Sequence, residues 1–165
     1  MFFSRLLTAG AVCLFSLSVL GPVWGQANGR CEVIPKSLVA MRHCYRPLLV
    51  FSPSAADARL AQQGRILDAA ADDMMDRFVM LTPILPSTKG YQAPLDTPYV
   101  VLGTREMLAI RAQFHIPSNR FEVLLLGEDG EVKMRSRVPV AITPLNRLID
   151  SMPTRKIEMQ RKDAY

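Results

Sequence analysis

Two apolar runs separated by one helix-length segment set the strongest limit on how this chain folds. The first, "PLLVF" (residues 47–51), is continuous rather than alternating, the pattern of a strand buried on both faces. The second, "FVMLTPIL" (residues 78–85), predicts another strand, and Pro83 within it places its far end at a sheet edge or a bend. Between them, Leu60, Leu67, Met74 and Phe78 recur every seven or four residues, with Ala70 and Ala71 interleaved. That stripe predicts one amphipathic helix running to about Arg77. Gly64 inside it costs about 1 kcal/mol relative to alanine. Strand, helix and strand in this order call for a layered α/β domain.

The flanking signals fill in the order. Ser54 followed by Asp57 reads as a capping box at the start of the first helix. "PSTKGYQAPLDTP" is a long loop punctuated by Pro86, Gly90, Pro94 and Pro98, and "YVVLG" is a candidate extra short strand. Thr104 is placed to cap "REMLAIRAQFHI", whose Met107, Ile110 and Phe114 form an apolar face ended by Pro117. "FEVLLLGEDGEVKMRSRV" is two strands joined through Asp129-Gly130. "TPLNRLIDSM" reads as a last helix with Thr143 as cap and Pro144 at its first position. The expected core is therefore a mixed α/β sheet with order β-α-β-α-β-β-α over residues 46–152. Residues 153–165 form a polar, basic tail, either an extended helix or disordered.

The amino terminus points to a compartment. Arg5, an apolar run from Leu6 to Leu20, and the small or helix-breaking Gly21, Pro22, Gly25 and Ala27 have the layout of a secretory signal peptide over residues 1–27. The apolar run is short for a spanning helix, which needs about 20 residues, and no later stretch is long enough. A permanent anchor is the competing reading; a lipoprotein is disfavoured because Cys13 follows Val12. The expected product is a soluble secreted or periplasmic protein with no transmembrane helix after cleavage. Cleavage removes Cys13 and leaves Cys31 and Cys44 where disulfides persist. A bridge between them would pin the segment 28–45 and stabilise by about 3 kcal/mol in the chain-entropy picture. The alternative is two independent thiols, one of them reactive. At 165 residues the chain supports one domain, and its net charge of +5 falls by one with Arg5. A secreted chain without an aromatic-basic module excludes nucleic acid as a partner.

The order of elements matches the thioredoxin fold, with a parallel βαβ start and a hairpin-helix finish. More narrowly, "RPLLVFSPSAADARLAQQ", "FEVLLLGEDGEVKMRS" and "LIDSMPTRKIEM" resemble, in order and spacing, the secreted bacterial family known as domain of unknown function 4174 (DUF4174). That family is related to the thioredoxin-like DUDES modules of animal sushi-repeat and other extracellular proteins. The resemblance implies a thioredoxin-like fold, a secreted location and association with extracellular material. It implies no established reaction and no cofactor.

Thiol–disulfide exchange needs a low-pKa thiolate near a helix amino terminus, usually with a resolving thiol close by. The corresponding loop here is "SPSAAD", where Ser52, Ser54 and Asp57 stand instead of thiols. The segment "SNRFEV", before the strand that faces that loop in thioredoxins, also lacks their cis-proline. Disulfide oxidoreductase activity at this loop is therefore excluded, and Cys44 falls at the opposite end of the strand. A serine nucleophile would need a base, and neither His43 nor His115 is spaced to reach Ser54. The helix start at Ser52, Ser54, Ala55, Ala56 and Asp57 is a candidate site for a small anion. Cys31, His43, Cys44 and His115 lack the paired spacing of a metal site, and Asp72, Asp73 and Asp76 read as an exposed acidic face. On the second hairpin strand Lys133, Arg135 and Arg137 share one side. They would either meet an anionic glycan, a membrane surface or an envelope or extracellular protein, or guard an edge strand against aggregation. The function expected is a non-catalytic binding or structural module of the cell envelope or exterior. The alternative is a divergent redox protein using Cys31 and Cys44 with a partner reductase.

Overall fold

The computed structural model describes residues 31–162. The expected signal peptide, with Cys13, lies outside the described residues. Four strands form one mixed sheet in the order β2-β1-β3-β4: β1 (Arg46–Phe51), β2 (Val79–Ile84), β3 (Glu122–Leu126) and β4 (Val132–Ser136). β1 runs parallel to β2, from Arg46 opposite Val79 to Phe51 opposite Ile84, and antiparallel to β3, with Leu48 opposite Leu125. Every residue of β1, β2 and β3 is buried, inward and outward positions alike. Helices therefore cover both faces of these strands, which is why their sequences are continuous apolar runs. Among the described residues six helices flank them: α1 (Leu38–Met41), α2 (Ala58–Asp68), α3 (Ala71–Asp76), α4 (Thr104–Gln113), α5 (Ile142–Asp150) and α6 (Pro153–Lys162).

The expected order holds, with additions. The single helix expected up to Arg77 is two, because Ala70 leaves helical geometry at φ −138° and ψ 38°. Pro83 sits on β2 at the sheet edge, where its missing N–H costs no central ladder bond. The extra strand is reduced to one parallel bridge, Tyr99 opposite Leu81. β3 and β4 are antiparallel, and Gly130 takes the left-handed φ of +80° that their connection requires. Thr104 and Thr143 are not caps. Helix α4 begins after Gly103 and α5 after Ala141, neither with a side-chain cap, so both threonines already lie inside their helices.

The packed unit also extends past the boundaries expected at Arg46 and Met152. Met41 is fully buried in the core, and Leu38 N–H donates to Glu106 across the fold. The tail takes its helical alternative as α6, and ion pairs dock it. Arg155 is buried and pairs with Asp76, Asp150 and Glu158, while Lys162 also reaches Asp76. The Lys162 hydrogen bond, helped by Arg155, holds the Asp76 carboxyl below the usual carboxylate range. Burial opposes ionisation of Asp150, but Arg77 and Arg155 outweigh it and lower this group as well. Both carboxyls thus add stability that is fully present above the unfolded value of about 4 and is lost as pH falls through their lower folded values. Denaturant melts between pH 7 and pH 3 should show α6 loosening only at the acid end; flat stability across that range would contradict this docking.

Candidate functional site

The loop after β1 is closed by its own side chains. Ser52 is fully buried and its Oγ donates to the Ser54 carbonyl at 2.8 Å. The helix cap is Asp57, not Ser54: the Asp57 carboxylate accepts from Arg59 N–H at 2.9 Å, and α2 starts at Ala58. Asp is as good a cap as Ser and lies next to the first helical residue, so the expected capping box gives way to a later start. Arg59 folds back on Asp57 with Nε–Oδ1 and Nη2–Oδ2 contacts of 3.0 and 2.7 Å. Its guanidinium lies 4.8 Å from the ring centre of Phe121, which precedes β3. This pairing holds the Asp57 carboxyl below the usual range. The anion expected at Ser52, Ser54, Ala55, Ala56 and Asp57 would thus meet a carboxylate already standing at the helix start, which repels it.

Behind the loop, Arg111 of α4 ties the strand ends together. Its guanidinium donates to the carbonyls of Pro117 at 2.8 Å, Ser52 at 3.1 Å and Ile84 at 2.7 Å. It also lies 5.4 Å from the Phe51 ring centre. No carboxylate pairs with it among the described residues, and burial pushes its pKa down.

Beside the loop, a groove of about 480 Å³ runs between α2 and the segment after β2, lined by Ala56, Leu60, Gly64, Tyr91 and Pro94. Asp68 fixes the far wall by accepting from the backbone amides of Leu95, Asp96 and Thr97. Burial pushes the Tyr91 phenol up to about 12, so it stays protonated at neutral pH. A Cβ added at Gly64 would meet nothing within 4 Å. Gly64→Ala should therefore raise stability by about 0.5–1 kcal/mol in a denaturant melt, since it removes a helix-interior glycine without a clash. A destabilised variant would show that the groove is not open at this point.

The other end of β1 holds the disulfide. Cys31 is bonded to Cys44, Cys31 is exposed, and Tyr45 Oη donates to the Glu32 carbonyl at 2.8 Å. A hollow of about 370 Å³ surrounds the bridge, lined by His43, Phe78, Glu128, Ile157 and Arg161 among others. Arg46, fully buried at the head of β1, lies beneath it and bridges Glu158 at 2.7 Å and Glu128 at 3.3 Å. Despite that cation, burial and the neighbouring Glu158 push the Glu128 carboxyl up. His43 N–H donates to the Glu128 carbonyl at 2.8 Å.

Two surface readings need correction. The row Lys133, Arg135, Arg137 is mostly neutralised. Lys133 pairs with Asp129 and Glu131, and Arg135 with the buried Glu122 at 2.7 Å. Only Arg137 of the three is exposed without an ion pair among the described residues. The acidic face is partly paired within the molecule: Asp72 is exposed, while Asp73 pairs with Arg77, and Asp76 with Arg155 and Lys162. Among the described residues no three His, Cys, Asp or Glu side chains group as a metal site, and no helix is long and apolar enough to cross a membrane. The side chains that organise both ends of β1, Arg46 and Arg111, escape a reading by motif. Their only signal is an arginine heading an apolar strand, and another within an otherwise apolar helix face.

Solved structures share this architecture at low identity. Thioredoxin peroxidase I of Plasmodium yoelii superposes with a TM-score of 0.51 at 15% identity, covering 78% of this chain and 80% of that one. The reduced 2-Cys peroxiredoxin of Plasmodium vivax gives 0.52 at 15% identity, over 78% of this chain and 72% of that one. The exposed lipoprotein thioredoxin of Streptococcus pneumoniae gives 0.50 at 11% identity, over 70% and 90%. These likenesses show a thioredoxin-like fold and nothing finer. No curated protein matches the sequence. The family described as "Domain of unknown function (DUF4174)" matches residues 37–158, from the residue that caps α1 to the glutamate of α6 that grips Arg46. With most of its length accounted for in this way, the chain belongs to the DUF4174 family.

Proposed function

We propose that the chain is a secreted or periplasmic thioredoxin-like module that binds another envelope or extracellular polypeptide and performs no chemistry at the loop after β1. The observation that carries this reading is the Asp57–Arg59 pair laid over Phe121. It fills the head of α2 with a satisfied, thiol-free contact, where the fold elsewhere offers a thiolate. The open groove along α2 at Gly64 and Tyr91 supplies a contact surface, in place of the neutralised basic row. Association with extracellular material belongs to the same proposal.

A second reading is favoured by one specific feature. The Cys31–Cys44 bridge is at the surface beside a hollow rather than packed in the core. In this reading the disulfide exchanges with a partner's thiols. Immobilised wild-type protein, exposed to an envelope extract without reductant, separates the two. Partners released by salt or mild denaturant alone support binding. Partners released only by a dithiol support exchange and overturn the non-covalent reading.

A further inference from the structure

The disulfide end of the molecule carries more than a bridge. Phe78 and Ile157 line the hollow around Cys31 and Cys44, and Met75 continues the same surface past Phe78 along an adjoining depression. All three are about half exposed, at 47%, 50% and 49%. They come from the segment before β2, from α6 and from α3, so an apolar patch has been assembled next to the sulfurs from elements far apart in sequence. Arg161 and Lys162 stand on its rim.

The backbone here is unusual too. Phe78 has φ +52° and His43, the neighbour of Cys44, has φ +62°. Left-handed geometry is costly for a bulky aromatic residue, and such strain gathers where a side chain is held for use. Phe78 is held there by its carbonyl, which accepts from Arg46 N–H at 2.8 Å, and its ring is half in solvent. Burial would explain a strained phenylalanine; this one is presented outward.

On this basis we infer that the Cys31–Cys44 end is a docking and exchange site for a partner polypeptide carrying a dithiol, with Phe78 and Ile157 as the apolar contacts and Cys31 as the sulfur attacked. The inference rests on the exchange reading above and adds the partner class, the contact residues and the direction of attack. A partner thiolate approaches Sγ of Cys31, the more exposed residue of the pair. A bond forms between the two sulfurs, the Cys31–Cys44 bond breaks, and the electron pair leaves on Cys44, which takes a proton from solvent. The partner's second thiol, losing its proton to solvent, then attacks the partner sulfur of the mixed disulfide and releases Cys31, which is protonated in turn. Two electrons and two protons have passed from the partner dithiol, now a disulfide, to the chain, now a dithiol. The covalent chemistry of the bridge is what selects a thiol-bearing occupant for this patch.

The test compares two reductants on the oxidised full chain, quenched with acid and read by intact mass. One is dithiothreitol; the other is a peptide dithiol with apolar residues flanking its cysteines, at matched thiolate concentration. The peptide should reduce the bridge about tenfold faster, the gain expected from burying parts of two apolar side chains. Phe78→Asn with Ile157→Gln should bring the peptide down to the dithiothreitol rate while leaving the dithiothreitol rate unchanged. Asn tolerates the left-handed geometry and Gln suits an exposed helix, so the variant keeps its fold. Equal rates for both reductants on the wild type, or an advantage that survives the double substitution, would overturn the docking site alone. A bridge that resists both reductants in the folded protein would overturn the exchange reading as well.

Discussion

Arg46→Met should cost about 3–5 kcal/mol of folding stability, the range found when one partner of a buried charge group is removed. The guanidinium is fully buried and serves four groups at once. It donates to the Arg77 carbonyl at 2.8 Å and to Thr154 Oγ1 at 3.0 Å, and it pairs with Glu158 at 2.7 Å and Glu128 at 3.3 Å. Methionine fills similar volume, so the loss is electrostatic rather than a cavity. Two carboxylates are left facing each other across the vacated charge, one of them already pushed up by burial and by the other. The triple variant with Glu128→Gln and Glu158→Gln should recover more than half of the loss. A loss below about 1 kcal/mol for Arg46→Met would mean that the pairs behave as exposed ones do.

The same pushed-up carboxyl fixes a sign. A folded value above the unfolded one means that the Glu128 contribution to stability is fully present below the unfolded value and is lost as pH rises through the folded one. Glu128→Gln alone should therefore gain on the wild type as pH rises from about 4 to 7. This trend runs opposite to that of Asp76 and Asp150, so the pH profile of Glu128→Gln set against that of the wild type separates them.

Arg111→Met is the second large effect, expected at about 3 kcal/mol and a fall in Tm of roughly 10 °C. Three carbonyls at the ends of β1, β2 and the segment after α4 lose a charged donor together, and the bonds to Ser52 and Ile84 are buried. The cost of burying an unpaired guanidinium is removed at the same time, which keeps the net below the sum of three charged hydrogen bonds. Arg111→Lys should recover only part of it, since one ammonium cannot match the fork that reaches Ser52 and Ile84 together. Full recovery by lysine would assign the role of Arg111 to charge rather than to geometry. Thermal melts followed by circular dichroism decide between these outcomes.

The residues that were legible in the sequence are those whose burial is written in local pattern. "PLLVF" and "FVMLTPIL" are continuous because both faces of their strands are covered, and "VKMRS" after Asp129-Gly130 alternates because β4 is an edge. The absence of thiols from the loop after β1 could be read directly, and so could the pairing of Cys31 with Cys44 as one of two options. The features that local pattern does not carry depend on contacts between distant residues. The tail "PTRKIEMQRK" has too little apolar character to announce a docked helix. It docks through charges whose partners, Asp76 and Arg46, lie 79 and 112 residues away from Arg155 and Glu158. Arg135 and Asp76 look free in a linear pattern, because nothing local shows that Glu122, Arg155 and Lys162 neutralise them. The pattern reads Ser54 as the cap with Asp57 as its capping-box partner, and only the position at which the backbone turns helical makes Asp57 the cap.

The most direct measurement is the intact mass of the protein recovered from the cell exterior or periplasm, alkylated in denaturant with and without prior reduction. Without reduction it should carry no alkyl group; after reduction it should carry one on Cys31 and one on Cys44. The same spectrum should show the mass of a chain that has lost its first 25 or 27 residues. Two alkylated cysteines without reduction, in protein taken from that compartment, would contradict a bridged thioredoxin-like module working outside the reducing cytoplasm.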